Sequence, residues 1–446
     1  MKRTHVNCLP AFHGPAAWNA ILGPAPEHRP LQGSRTADVV IVGAGFAGLS
    51  SARRVHQLEP QASIVVLEAG RIAEGSAGRN SGFMIDLPHE LTSDNYAGAN
   101  DDRVMIALNR QAIEFADEAA ADYQIDSNFF DRAGKVNGAA SEVANDHNES
   151  YAAHLTSLGE PSEMLDAQSM HDLTGSRHYH SGLYTPGTVM LQPAGYIRGL
   201  ASGLKRDGVM IHEHSPVIAL GREGDTWRVQ SKEGYVSAGR VILTVNGHLE
   251  SFGFEKGRLM QLFLYAVMTP ELDADAISKL GGKNRWGITP SDPMGTTMRR
   301  IDTSQGGNRI VTRTCATLAP NRRISPKQVD RSAHVMQQKF EARFPQLKGL
   351  KMEYAWAGHL CLTLNGVSVM RKLDDGLYSG CVQNGLGTAR GTLTGIGAAE
   401  LACGTTSDIT RHFTAEVKPK RLPPQPFQQV GANAILRYKE WRARHE

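Results

Sequence analysis

One segment near the start of the chain, residues 36–70, constrains the fold more than any other part of the sequence. Its apolar run at residues 39–42 is typical of a buried parallel strand. That run is followed at once by Gly43, Gly45 and Gly48, in the spacing G-x-G-x-x-G. The first glycine permits a tight turn, the second lets a pyrophosphate approach the backbone, and the third lets the next helix pack closely on the strand. We therefore predict a strand, a turn and a helix whose N-terminus faces phosphate.

An acidic residue after the next predicted strand strengthens this interpretation. Residues 64–67 form the second apolar run, and Glu68 follows it, 20 residues after Gly48. A carboxylate at this spacing can accept hydrogen bonds from ribose hydroxyls. The segment therefore predicts a dinucleotide site. A glycine-rich turn in an unrelated α/β protein is the alternative, and it does not explain Glu68.

A second strand, glycine turn and helix occur near the C-terminus. Residues 377–381 predict a strand, residues 384–395 a glycine-rich turn, and residues 396–402 a helix. The N-terminus of such a helix suits an electronegative group. An ordinary helix start with flexible glycines is the alternative reading of this segment.

Composition narrows the class of protein. The chain has 446 residues, with 48 Lys and Arg residues and 45 Asp and Glu residues. The resulting net charge of +3 is too small to indicate nucleic-acid binding. No apolar run reaches the length of about 18 residues that a membrane span needs. The N-terminus lacks the apolar region of a secretory signal. The five cysteines are scattered, which indicates a reducing compartment, and we expect a cytoplasmic protein.

Histidine pairs raise the question of a metal site. His178 and His180, like His212 and His214, share a face if they lie on strands. No third ligand accompanies either pair, so we expect no metal.

The remaining pattern predicts helices and strands between and beyond the two glycine turns. The predicted helices are residues 101–123, 141–158, 196–206, 326–344 and 432–444, and the further strands are residues 209–211, 227–230, 235–236 and 240–245.

These features together resemble the FAD-dependent amine and amino-acid oxidoreductases of the D-amino-acid oxidase superfamily, and among them the gamma-glutamylputrescine oxidase-like members. The resemblance rests on VVIVGAGFAGLSSA at residues 39–52, VVLEA at 65–69, GSAGRNSG at 75–82 and GTLTGIGAAELA at 391–402. The paired N-terminal and C-terminal glycine turns are its most specific part.

The resemblance implies an α/β fold: a Rossmann-like, glutathione-reductase-like FAD-binding domain with an inserted α+β substrate domain built on an antiparallel sheet. We expect an N-terminal arm at residues 1–35 and a C-terminal tail with a basic helix at 416–446. The implied FAD-binding segments are residues 36–95, 185–255 and 355–415, and the implied substrate-binding segments are residues 96–184 and 256–354.

The resemblance also implies which residues contact FAD. They are Gly43, Ala44, Gly45, Phe46, Ala47, Gly48, Glu68, Ala69, Arg79, Asn80, Ser81, Val217, Asn246, Gly247, Gly385, Leu386, Gly387, Gly391, Thr392, Leu393 and Thr394. Cys361 does not match the position of a covalent flavin link, so non-covalent FAD is expected.

Cationic residues are the main candidates for substrate contact. We expect catalytic or substrate-binding roles for Arg390, Arg300 and Tyr265, with Arg299 and Arg313 as further candidates. A cation at position 390 could stabilise reduced flavin or bind a substrate carboxylate. It could equally face solvent or an acidic neighbour.

The implied reaction is oxidation of the C–N bond of an amine, amino acid or N-substituted amino acid by hydride transfer to flavin, giving an imine that hydrolyses. The expected partners are that small substrate and an electron acceptor, which is oxygen, a quinone or a protein. Two alternatives remain from sequence: an NAD-dependent dehydrogenase, and a non-catalytic flavoprotein subunit for electron transfer.

Overall fold

The computed structural model describes residues 3–87, 101–292 and 294–446. In chain order, the strands of the described residues are β1 (Arg3–His5), β2 (Gly33–Val42), β3 (Ile64–Leu67), β4 (Phe83–Met84), β5 (Phe130–Asp131), β6 (Lys135–Ala139), β7 (Glu163–Asp166), β8 (Ser181–Thr185), β9 (Val189–Leu191), β10 (Met210–His212), β11 (Ala219–Glu223), β12 (Thr226–Gln230), β13 (Gly234–Leu243), β14 (Met260–Met268), β15 (Trp286–Pro290), β16 (Thr297–Ile301), β17 (Arg309–Leu318), β18 (Tyr354–Leu362), β19 (Val369–Asp374) and β20 (Leu377–Cys381). The helices are α1 (Ala17–Ala20), α2 (Phe46–Leu58), α3 (Asp102–Asp122), α4 (Glu142–Leu158), α5 (Ala167–Thr174), α6 (Pro193–Arg206), α7 (Ala274–Leu280), α8 (Pro326–Arg343), α9 (Ala389–Ala402), α10 (Asp408–Ala415) and α11 (Phe427–Arg442). Over the same ranges, none of these helices is both long enough and apolar enough to cross a lipid bilayer.

The first sheet carries the predicted dinucleotide-binding core. Its strands follow the order β1-β11-β12-β13-β2-β3-β10, and β20 joins it beside β13 and pairs with β19. Strands β10, β3, β2, β13 and β20 run parallel to one another. This arrangement confirms the predicted α/β fold with a Rossmann-like core.

Both faces of this sheet are covered, as its unbroken apolar runs require. In β2, Val39 and Ile41 pack into the core beneath helices α2 and α9, whereas Val40 and Val42 pack into the core on the opposite face. Because both faces of this strand are buried, its apolar residues do not alternate with polar ones. This explains the unbroken apolar run at residues 39–42.

Helices α2 and α9 pack unusually close together because small residues line their contact. A Cβ atom added to Gly395 of α9 would lie 2.2 Å from the carbonyl oxygen of Ala47 in α2. The Ser51 hydroxyl of α2 donates a hydrogen bond to the carbonyl oxygen of Gly395, at 2.8 Å. The two helices that begin at the two glycine turns are therefore held side by side.

We expect Gly395→Ala to lower the free energy of unfolding by about 1–3 kcal/mol, because the added methyl group overlaps a backbone atom that cannot move independently of α2. Gly239→Ala is the matched control, since a Cβ atom added there would have no neighbour within 4 Å; it should change stability by no more than about 0.5 kcal/mol. Urea denaturation of both variants measures the difference. Equal stability of the two variants would contradict the close packing.

The second sheet has the strand order β18-β14-β17-β16-β15-β6-β8-β7. It is antiparallel except for the pair β15 and β6, and helix α8 packs on β14 and β17. A small third sheet has the strand order β4-β9-β5. The predicted inserted domain built on an antiparallel sheet corresponds to the second sheet.

The sheets suggest a different division from the predicted segments at two places. Strand β18 pairs with β14 and so belongs to the second sheet, although the sequence assigned residues 355–415 to the FAD-binding domain. Helix α3 buries its apolar face in the core beneath the first sheet, although residues 96–184 were assigned to the substrate domain. Residues 88–95 and 96–100 of the predicted segments lie outside the described residues.

Most predicted elements agree with the structure, and the clearest differences are in β13, α9 and α11, the last of which begins at Phe427 rather than at residue 432. The two strands predicted at residues 235–236 and 240–245 form one continuous strand, β13, because it pairs with β2 along its length. Helix α9 begins at Ala389 rather than at residue 396. Its threonines and glycines are poor helix formers in isolation, but here they are buried against α2 and the sheet, and packing overrides propensity.

Candidate functional site

A deep cavity lies where the two sheets meet, at the carboxyl ends of the parallel strands. Val42 of β2, Leu67 of β3 and Thr244 after β13 contribute to its lining. In open α/β sheets, ligands bind outside these strand ends, where the strand order reverses. The predicted dinucleotide turn therefore lies where ligands bind in folds of this kind.

The three glycines of the first turn have three different environments. Gly43 has φ +104°, and a Cβ atom there would lie 2.9 Å from the carbonyl oxygen of Thr244. A Cβ atom on Gly48 would lie 1.8 Å from the carbonyl oxygen of Gly43. A Cβ atom on Gly45 would point into open cavity, with the Ala77 Cβ atom 3.6 Å away as its nearest neighbour. Gly43 and Gly48 thus shape the turn, and Gly45 leaves room for a ligand.

Glu68 lies at the edge of the cavity and is fixed by backbone donors. Its carboxylate accepts hydrogen bonds from the N–H groups of Ala44 and Gly70, both at 2.9 Å. Burial raises the pKa of Glu68, and those two hydrogen bonds oppose the rise. The carboxylate is therefore held in the cavity wall by backbone donors, and its contact with a ribose stays a prediction.

The second glycine turn lines the same cavity beside the start of α2, since a Cβ atom added to Gly391 would lie 3.2 Å from the Phe46 Cβ atom. Gly385, Gly387 and Gly391 line it, and α9 begins directly after the turn, at Ala389. The N-termini of α2 and α9, with their positive dipole ends, therefore meet at one cavity.

Strands β14, β17 and β18 at one end of the second sheet close the cavity. Leu264 and Ala266 of β14, Val311 and Arg313 of β17, and Trp356 of β18 contribute. Tyr265 and His359 also lie in this lining, and none but Arg313 among the cavity residues of these three strands is an acid, a lysine or an arginine.

Arg313 is the exception, and its surroundings differ from those of the other arginines in the second sheet. Among the described residues, its one hydrogen bond is weak, from Nη1 to the Thr297 hydroxyl oxygen at 3.3 Å, and no carboxylate forms an ion pair with it. Burial lowers the pKa of Arg313, with no opposing contribution from an acid. A guanidinium group in this setting favours an anionic ligand, since it otherwise remains desolvated without a counter-charge.

The N-terminal arm forms part of the cavity wall, which the sequence did not predict. Residues 8–12 line the cavity, and Arg79 ties them in place. Its guanidinium donates to the carbonyl oxygens of His13 and Gly14, both at 2.9 Å, and to that of Glu74 at 2.6 Å. Arg79 therefore lines the cavity as predicted, but its donors are occupied by backbone rather than directed at a ligand.

Two partly buried histidines also line the cavity and were not predicted. The His248 and His359 rings meet edge to face at 5.3 Å. Burial lowers the pKa of His248 to about 4 and that of His359 well below its usual value. The Gln261 amide group donates to the Gly247 carbonyl oxygen, so its oxygen accepts from His359 Nε2 at 2.9 Å. His359 is therefore neutral with its proton on Nε2.

Most of the predicted FAD contacts line the cavity, and some do not. Those in the lining are Gly43, Ala44, Gly45, Phe46, Ala47, Glu68, Ala69, Arg79, Asn80, Ser81, Val217, Asn246, Gly385, Gly387 and Gly391. Those outside it are Gly48, Gly247, Leu386, Thr392, Leu393 and Thr394. The last three lie inside helix α9 and are buried, because that helix starts earlier than the sequence predicted.

The structure places Arg390 away from the role predicted for it. Its Nη2 atom forms an ion pair with Glu416 Oε1 at 3.1 Å, and the two side chains are 12% and 13% exposed. Its guanidinium also lies 5.8 Å from the centre of the Phe413 ring. The alternative of an acidic neighbour is the one that the structure shows, and Arg390 does not line the cavity.

We expect Arg390→Gln to lower the free energy of unfolding by about 1–3 kcal/mol, because it leaves the Glu416 carboxylate buried without its cation. The rate of flavin reduction should not change. Thermal denaturation and rapid-reaction spectroscopy measure the two effects separately. A slower flavin reduction at unchanged stability would instead assign Arg390 to the reacting groups.

The other predicted cations and Tyr265 have structural partners. Arg300 donates to the carbonyl oxygens of Gly281 and Lys283, and Arg299 donates to that of Leu191; neither lines the cavity. Tyr265 does line it, but its hydroxyl donates to the Thr317 hydroxyl oxygen at 2.9 Å.

The shape and donors of the cavity fit FAD. It runs from the Gly45 turn past Glu68 to the second sheet. The turn suits a phosphate, Glu68 suits a ribose, and the apolar residues of the second sheet suit a flat ring. A model of the family described as FAD dependent oxidoreductase (DAO) matches residues 38–402. The chain belongs to this family. The match confirms the predicted FAD-dependent oxidoreductase and favours FAD over the nicotinamide alternative.

Individual relatives agree with this assignment. The chain is 25% identical over 440 residues to the probable oxidoreductase OrdL of Rhizobium meliloti, covering 96% of each chain. It is 27% identical over 380 residues to the gamma-glutamylputrescine oxidoreductase of Escherichia coli, covering 84% of this chain and 85% of the relative. The crystal structure of glycine oxidase from Geobacillus kaustophilus has a similar fold, with a TM-score of 0.69 and 16% identity over 86% of this chain and 100% of that one.

Proposed function

We propose that the protein oxidises the C–N bond of a small amine that carries a carboxylate, and that Arg313 binds this carboxylate. The observation that carries the proposal is the position of Arg313 in the cavity wall without an acidic partner among the described residues. A bidentate arginine–carboxylate pair would fix the orientation of the substrate as well as its affinity.

The chain supplies orientation and electrostatics, and bound FAD would supply the hydride acceptor for the reaction. The Gly45 cradle and the N-termini of α2 and α9 would hold the phosphates and the electronegative edge of the cofactor. Leu264, Ala266 and Trp356 would exclude water from the space beside Arg313.

The two histidines of the cavity wall add no positive charge beside the substrate. His248 and His359 are both kept neutral by burial. Neither therefore adds a positive charge that would repel a cation developing at the substrate nitrogen.

The names of relatives support an amino-acid-like substrate. Glycine is the substrate named for the Geobacillus kaustophilus oxidase, and gamma-glutamylputrescine is named for the Escherichia coli enzyme. The first is an amine with a carboxylate, as the Arg313 environment favours.

We also propose that FAD is bound without a covalent link. Cys361 lines the cavity, but burial raises its pKa well above the usual value. The thiol form that results is a poor nucleophile. Acid precipitation of the protein should therefore release the flavin into the supernatant.

The proposal extends to the electron acceptor and to the cellular compartment of the protein. We propose oxygen, a quinone or a redox protein as acceptor, which oxygen consumption and quinone reduction distinguish. We place the protein in the cytoplasm, because all five of its cysteines are free thiols.

Binding of non-oxidisable ligands tests the proposal. Acetate and propionate should perturb the visible absorption of the bound flavin and inhibit competitively, whereas acetamide and propionamide, which have similar shapes but no charge, should not. Equal effects of the acids and the amides would overturn the assignment of Arg313 as a carboxylate site.

A further inference from the structure

Helix α11 carries a row of apolar side chains that face solvent. Phe427, Val430, Ile435, Tyr438 and Trp441 are each between 58% and 73% exposed. At 100° per residue they lie on one side of the helix, and we refer to these five residues as the α11 stripe. The helix contains no buried residue.

The opposite side of α11 is mostly polar, with the partly buried Leu436 among its residues, and faces the protein. Asn433 accepts from the N–H and donates to the carbonyl oxygen of Leu318, at 3.0 and 3.1 Å. Glu440 accepts from the N–H of Ala316 at 3.0 Å. These contacts cover the edge of β17 that extends beyond its pairing with β16. The amphipathic helix is thus turned with its polar face inward, the reverse of an ordinary surface helix.

Positive charge is concentrated around this stripe. Residues 417–446 contain seven of the 48 Lys and Arg residues and two of the 45 Asp and Glu residues, so the rest of the chain has 41 against 43. The cations before the helix are Lys418, Lys420 and Arg421, and those within or after it are Arg437, Lys439, Arg442 and Arg444. Both ends of the α11 stripe are therefore flanked by cations.

We propose that the α11 stripe binds the surface of a membrane that contains anionic lipids. Apolar and aromatic residues flanked by Lys and Arg are the composition of helices that lie in the membrane interface, and Trp and Tyr favour the headgroup level. A helix of 16 residues is about 24 Å long, enough to lie flat on such a surface. The enzyme binds peripherally, with α11 parallel to the bilayer plane.

Charge favours a lipid surface over a second copy of the chain. In a two-fold pair of stripes, either orientation of the two helices brings one cationic flank beside another. An anionic surface neutralises both flanks at once.

The fluorescence of Trp441 reports the binding directly. Trp441 is 59% exposed, whereas Trp18, Trp227, Trp286 and Trp356 are at most 7% exposed. Holoenzyme mixed with vesicles of phosphatidylcholine and phosphatidylglycerol in equal parts should sediment with them and shift its tryptophan emission to shorter wavelength. Vesicles of phosphatidylcholine alone should bind about tenfold less, and salt should weaken the binding.

Ile435→Glu should lower binding to the anionic vesicles about tenfold or more while FAD content and turnover stay unchanged. Val104→Glu, an exposed valine on α3, is the matched control and should bind as wild type. Failure of the wild type to bind anionic vesicles overturns the proposal. A second set of results would also overturn it: the wild type binds both kinds of vesicle equally poorly and is dimeric by sedimentation, and Ile435→Glu makes it monomeric. The stripe would then join two copies of the chain.

Discussion

Replacing Arg313 with leucine is expected to reduce kcat/KM for a carboxylate-bearing amine by about 100-fold, because hydrogen bonds to a charged group contribute about 1.5–3 kcal/mol and each 1.4 kcal/mol corresponds to a factor of ten. The loss follows from removing a cavity arginine whose one hydrogen bond among the described residues is weak and which has no acidic partner there. FAD content and the free energy of unfolding should not fall, because leucine removes a desolvated charge rather than a structural ion pair. Steady-state kinetics and the flavin absorbance of the purified variant measure both.

Two comparisons separate recognition of the carboxylate from general damage. Arg313→Lys keeps the positive charge but loses the planar fork, so its kcat/KM should lie between those of wild type and Arg313→Leu. An amine without a carboxylate should be oxidised equally slowly by all three proteins. An equal loss on both kinds of substrate would mean that Arg313 acts through the cavity's shape or through the cofactor instead.

The second large effect is expected from Gly45→Val, which should strongly weaken FAD binding in a protein that still folds. Gly45 has φ −89° and ψ −166°, an extended conformation open to valine, and its Cβ position has no protein atom closer than 3.6 Å. The new side chain would therefore occupy the space of the pyrophosphate without disturbing the protein around it. The affinity for FAD should fall by about 100-fold or more, as expected from loss of several charge-assisted hydrogen bonds.

Isothermal titration of the apoprotein with FAD measures this affinity, and thermal denaturation of the apoprotein measures the fold. Gly239→Val is the control, because its Cβ position is open to solvent rather than to the cavity. Gly48→Val should lose FAD and stability together, since its Cβ atom would overlap the carbonyl oxygen of Gly43 at 1.8 Å. Tight FAD binding by Gly45→Val would show that the pyrophosphate lies elsewhere.

Local pattern was enough to predict the cofactor half of this protein. Strands β3 and β20 coincide with their predicted bounds, because a buried strand between turns is marked by a short apolar run. The start of α9 was predicted seven residues too late. Its first two turns are helical through contact with α2, and a contact between segments so distant in sequence leaves no local signal.

The substrate half depended on contacts that sequence cannot supply. Five residues were candidates for substrate contact, and four have partners that come from other parts of the chain. Glu416 pairs with Arg390, backbone carbonyls hold Arg299 and Arg300, and Thr317 accepts from Tyr265. Arg313 differs because it lines the cavity and, within the described ranges, has neither an acidic partner nor a backbone carbonyl partner. This is a property of the fold rather than of its neighbours in sequence. The arm at residues 8–12 lacks periodicity, so nothing indicated that it would line the cavity.

Anaerobic flavin reduction with matched pairs of amines tests the central claim most directly. The purified holoenzyme is mixed in the absence of oxygen with amino acids and N-alkyl amino acids, and with the amines that remain when their carboxylate is removed. We predict bleaching of the flavin absorbance by at least one carboxylate-bearing member, at a rate about 100-fold higher than with its partner, as the Arg313 contact implies. Equal rates within every pair, or faster reduction by the amines without a carboxylate, would contradict the account.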